Sequence, residues 1–67
     1  MVTLNIKIQE LRKERALSVK NFAQAFHVTE RTVQRWEDGS RMPTIETLVE
    51  LAKFFGVSTD YLLGLED

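Results

Sequence analysis

Apolar residues return every three or four positions along almost the whole chain, the spacing that lines up one face of an α-helix. Each interruption of that pattern falls on a residue that starts or stops a helix. A first helix is predicted from Asn5, as N-cap, to Arg15, with Ile8, Leu11 and Leu4 on its inner face. Ser18 caps a short second helix whose buried side is Val19, Phe22, Ala23 and Phe26. Thr29 caps a third that reaches Asp38, with Val33 and Trp36 facing inward. Pro43 and Thr44 open a fourth, with Thr44 as N-cap and Ile45, Leu48, Val49, Ala52 and Phe55 on one stripe. Ser58 caps a last short helix through Leu63. Gly39, Gly56 and Gly64 each stand just past one of these helices, as stop signals do.

One segment fits two periods. From Val2 to Gln9 apolar and polar residues alternate, which is the signature of a strand. A lone strand has no partner within such a chain and would need a symmetry mate or a C-terminal segment, so residues 1–9 read either as a dimerising strand or as a loose start to the first helix.

A length of 67 residues allows one small domain, residues 1–67, whose stability must come from packing. There are no cysteines, which excludes a disulfide scaffold and a thiolate zinc site and permits a reducing compartment. No apolar run is long enough for a membrane span, and the N-terminus lacks the basic and apolar regions of a signal peptide, so a cytoplasmic, nucleoid-associated location is the default expectation. The net charge of -1 argues weakly against a nucleic-acid partner, but its distribution changes the picture. Residues 1–36 hold seven basic against three acidic residues, giving +4, and residues 37–67 hold two against seven, giving -5. Such polarity suits either a basic binding face or ordinary solvated surface.

The chemistry concentrates in residues 18–37, a short helix, a tight turn and a second short helix. Small Ala23 permits close approach of the two helices, and Val28 and Val33 clamp the turn against Phe22. The outer face of the third helix is then free of apolar side chains and carries Glu30, Arg31, Gln34 and Arg35, all able to hydrogen-bond base edges. A helix with such a face fits the major groove, where the donor and acceptor pattern distinguishes every base pair.

These features, with Ile8 to Arg15, Leu17-Ser18, Phe22-Ala23, Val28 through Gly39, Pro43 to Leu48 and Phe55 to Gly64, resemble the phage repressor and Cro family of helix-turn-helix regulators, a prokaryotic and phage group, over about residues 6 to 64. The resemblance implies an all-α, compact five-helix, lambda-repressor-like domain. It also implies a dimeric, sequence-specific regulator of transcription, a repressor, that binds a palindromic operator in double-stranded DNA through its third helix. Glu30, Arg31, Gln34 and Arg35 would read bases. Lys20 at the start of the second helix, Thr29, Thr32, Ser40, Arg41 and main-chain N–H groups after the third helix would contact phosphates. Arg12 and Glu37 would form an ion pair holding the third helix against the first. Dimer contacts would come from the last helix and the chain ends, residues 1–4 and 65–67, with Leu62, Leu63 and Leu65 as candidates. The chain departs from the family pattern at Val19, where a glutamine is common, and at His27, where a glycine is usual; histidine tolerates the left-handed conformation better than most residues.

Other readings are weaker. His27 has no second ligand at metal spacing and reads as a turn residue; Trp36 points inward and reads as core. No nucleophile with a base, no phosphate loop and no paired acids suggest an enzyme, and no cofactor or metal is expected. The competing reading is an antitoxin or protein-binding adaptor of the same fold that grips a partner through the acidic C-terminal half. A regulatory protein partner is compatible with either reading.

Overall fold

The computed structural model describes residues 3–66, and Met1, Val2 and Asp67 lie outside the described residues, as do the parts of the expected dimer-associated ends that they would form. Five helices follow in order: α1 Leu4–Glu14, α2 Val19–Ala25, α3 Glu30–Asp38, α4 Ile45–Phe55 and α5 Thr59–Leu63. No strand occurs among the described residues, and the part of the alternating segment from Leu4 to Gln9 is helix. Four helix starts lie where the hydroxyl residues place them: Ser18, Thr29, Thr44 and Ser58 each accept a hydrogen bond from the backbone N–H three residues on. Each such cap is worth about 1 kcal/mol because it satisfies a donor that the helix cannot.

The first helix departs from expectation. Its N-cap is Thr3, which makes no side-chain cap bond, and Asn5 lies within the first turn. Asn5 packs instead against the end of α3, 3.4 Å from the point where a Cβ on Gly39 would stand. The start of α1 also meets the end of α5: Thr3 N–H donates to the Leu63 carbonyl at 3.5 Å. A Cβ at Gly64 would lie 2.5 Å from Thr3 Oγ1, so only glycine lets Thr3 cross the end of α5.

The core gathers Leu4, Ile8 and Leu11 from α1, Phe22 and Ala23 from α2, Val33 and Trp36 from α3, Leu51, Ala52 and Phe55 from α4, and Leu62 from α5. Phe22 is its centre, with ring centroids 5.1 Å from Phe26, 5.6 Å from Phe55 and 6.3 Å from Trp36, in tilted or edge-on arrangements that aromatic quadrupoles favour. The stripe expected on α4 was drawn too wide. Ile45 is 81% and Val49 40% exposed; they lie about a quarter and more than a third of a turn, respectively, from the line through Leu48, Leu51 and Phe55. Leu62 needs correcting too: it is wholly buried in the chain's own core and has no surface to offer a second copy.

Candidate nucleic-acid interface

The α2–α3 unit owes its shape to a backbone conformation. His27 adopts φ 54°, so the turn after α2 runs through the left-handed region at the position where the sequence calls for it. Phe26 N–H and Val28 N–H both return to carbonyls of α2, and buried Ala23 leaves room for α3 to pack directly on α2. Ala16 makes a second left-handed turn, at φ 55°, between α1 and α2, and nothing in its sequence context signals it.

On α3 the two faces are sharply different. Val33 and Trp36 are buried, while Glu30, Arg31 and Gln34 are exposed and Arg35 is half-exposed. Glu30 stands in the first turn, where the helix dipole favours a carboxylate. The helix is fixed from behind by Arg12, whose Nε donates to Glu37 Oε2 at 2.6 Å and whose Nη2 donates to Oε1 at 3.2 Å. Arg12 Nη1 also donates to the Leu17 carbonyl at 2.8 Å, so one guanidinium joins α1, the α1–α2 turn and the end of α3. The two side chains are only 13% and 8% exposed, which makes this bidentate pair a largely desolvated one.

The residues expected to touch phosphates are for the most part at the surface. Lys20, Thr29, Ser40 and Arg41 are exposed and Thr32 is half-buried. Thr29 Oγ1 accepts from Thr32 N–H at 3.2 Å and lies 3.0 Å from Thr32 Oγ1; one hydroxyl proton bridges the pair and the other stays free for an anion. Of the main-chain donors expected after α3, those of Ser40 and Arg41 are engaged within the chain. Ser40 N–H donates to Asp38 Oδ1 at 2.7 Å, and Arg41 N–H donates to the Arg35 carbonyl at 3.2 Å. The Ser40 hydroxyl first, then its N–H, and to a lesser extent the Arg35 charge hold the Asp38 carboxyl below the usual carboxylate range. An aspartate before a glycine at a helix end is an Asx-turn signal, and Asp38, expected only as the end of the third helix, makes that turn.

Beside α3 a cavity of about 290 Å³ opens between Val28, Thr32 and Trp36 on one side and Arg41, Met42, Pro43, Thr44 and Thr47 on the other. Its wall mixes apolar surface, hydroxyls and one guanidinium. No cluster of metal-ligating side chains occurs among the described residues, and no helix is long and apolar enough to cross a membrane. At the far end, Leu63 is half-buried and Leu65 is 70% exposed.

A helix-turn-helix family model matches residues 8–62. Among curated proteins the chain is similar to the HTH-type transcriptional activator BcrR of Enterococcus faecalis, at 35% identity over 94% of this chain and 31% of BcrR. It is also similar to the cryptic phage CTXphi transcriptional repressor RstR of Vibrio cholerae, at 41% identity over 76% of this chain and 46% of RstR. The chain thus spans less than two thirds of either relative. Two solved structures share the architecture: a transcriptional regulator from Listeria innocua, with TM-score 0.92 at 31% identity over 100% of this chain and 63% of that one, and the S. venezulae BldD DNA-binding domain, with TM-score 0.75 at 30% identity over 91% of each.

Proposed function

The chain belongs to the Cro/C1-type helix-turn-helix family, and from that premise we propose that it binds double-stranded DNA as a sequence-specific transcriptional regulator, a repressor that occupies an approximately palindromic operator as a homodimer. The observation that carries this reading is the division of α3 into an anchored apolar side and an exposed side bearing Glu30, Arg31, Gln34 and Arg35. Set into the major groove, Arg31 or Arg35 grips guanine O6 and N7 in bidentate fashion, Gln34 pairs with adenine, and Glu30 accepts from cytosine N4. Lys20, the Thr29 and Thr32 hydroxyls, Ser40 and Arg41 hold the flanking phosphates and so fix the register without reading sequence.

Two copies are needed because half-sites one helical turn apart lie about 34 Å from each other, whereas the longest extent of this domain is 29 Å. With Leu62 in the core, the contact between copies falls to Leu63, Leu65 and the chain ends. Selection from a random duplex library, followed by footprinting, tests the reading. Recovery of a palindrome protected in two patches one turn apart supports it; failure to enrich any duplex favours an antitoxin or adaptor and overturns it.

A further inference from the structure

Asp38 ends α3 and is itself exposed, yet it organises the backbone that follows. Its Oδ1 accepts the Ser40 N–H at 2.7 Å across Gly39, which turns the chain at φ 82°. The next N–H, that of Arg41, returns to the Arg35 carbonyl at 3.2 Å. These two bonds bring the chain back across the end of the recognition helix and fix the point from which the Arg41 side chain departs along the wall of the neighbouring cavity. Asp38 is a costly residue in that place. A carboxylate three residues before Arg41 repels the phosphate that Arg41 would approach, as exposed charges within about 10 Å of each other do.

We propose that Asp38 is a positioning residue for the phosphate contact of Arg41: its carboxylate holds the 39–41 turn in the binding form before DNA arrives, while its charge repels the backbone and restrains binding to unrelated sequences. The proposal rests on the DNA-binding reading above. It takes the Ser40 N–H out of the set of phosphate donors and gives it an internal task. Preordering matters because a turn that must be fixed on binding loses the affinity that its ordering consumes.

Two substitutions separate the acceptor from the charge. Asp38→Asn keeps an oxygen for Ser40 N–H and removes the charge; Asp38→Ala removes both. Each is made in the full chain, alone and with Arg41→Ala, and binding is measured on an operator duplex recovered by selection and on an unrelated duplex, below the thermal midpoint of every variant. D38N is expected to bind either duplex about threefold to tenfold more tightly than D38A, the effect of one net hydrogen bond. D38N should also exceed the wild type on the unrelated duplex. Arg41→Ala should weaken D38N by the same factor as the wild type and weaken D38A less. Equal binding by D38N and D38A, or one unchanged Arg41→Ala factor in all three backgrounds, overturns the proposal, the latter even if D38A melts earlier. A wild-type chain that binds no duplex overturns the DNA reading and this proposal with it, a result distinct from either of those patterns.

Discussion

Arg35 and Arg41 both carry guanidinium groups near the end of α3, and on the DNA-binding proposal their different surroundings imply different work. Arg35 is half-exposed on the outward side of α3, whereas Arg41 stands free in the loop and lines the cavity beside it. Arg35→Ala is expected to relax base preference at one half-site position by about 1–3 kcal/mol, and Arg41→Ala to weaken all duplexes alike. Binding of both variants across a panel of operators decides the matter, and identical profiles would contradict the division. Backbone strain gives a second test at this scale. Ala16 occupies the left-handed region without the side-chain oxygen or missing Cβ that eases it. Ala16→Gly should therefore stabilise the fold by about 1 kcal/mol, seen as a thermal midpoint roughly 4–8 °C higher. A third concerns acid. The Asp38 carboxyl, held low by Ser40, favours the folded state in its ionised form, so its contribution is complete above the ordinary aspartate range and is lost as pH falls below that range through the lowered folded value. The stability difference between wild type and D38N should stay level above about pH 5 and shrink below about pH 4; a difference that grows in acid would show the opposite linkage.

Helices two to five start at hydroxyl residues that the sequence displays openly, and each of those four caps is made. The first does not, and the reason is tertiary: Asn5 reads as a cap by composition, but its side chain is drawn to the end of α3 and the helix extends back to Leu4. The stripe on α4 failed in another way. Local spacing marks Ile45, Leu48 and Val49 as equally inward, and only the position of the neighbouring helices selects Leu48 and adds Leu51. Leu51→Ala should cost about 2–5 kcal/mol and Ile45→Ala less than about 0.5 kcal/mol, a contrast that chemical denaturation would measure. The outward residues of α3 were legible because they share a helical face with no apolar member. The seating of that helix was legible at Arg12 and Glu37 only through likeness to a family, since no local period joins α1 to α3. Arg12→Ala should destabilise the fold by about 3 kcal/mol, because Glu37 would remain largely buried and uncompensated. A double variant, Arg12→Met with Glu37→Leu, should recover most of that loss; equal destabilisation by single and double variants would show that packing, not the stranded charge, sets the effect.

Across the whole molecule, long-range contacts close the fold in ways the linear pattern does not reveal. Arg15 Nη2 donates to the Phe55 carbonyl at 2.7 Å, closing the C-terminal end of α4 from the other side of the chain. The Lys7 ammonium lies 4.6 Å from the centre of the Tyr61 ring, tying α1 to α5. Neither pair has a signature in sequence spacing. Charge, in contrast, is visible at once: the chain is nearly neutral but divided, with its basic surplus before residue 37. If Lys20 and Arg41 neutralise one phosphate each in both copies, the logarithm of affinity should fall with the logarithm of salt at a slope of about -4, and Arg41→Ala should reduce its magnitude by about 2. A slope near zero would mean that these cations stand away from the backbone. The anchoring of α3 from behind has a consequence for how such a protein changes its target. On the DNA-binding proposal, Val33, Trp36 and Glu37 hold the rod in place while the proposed base readers at positions 30, 31, 34 and 35 lie outside the buried core, so the address would be rewritten without redesigning the body that carries it. On that reading a new target asks for only a few exchanges on one side of one helix, with the interior left as it stands.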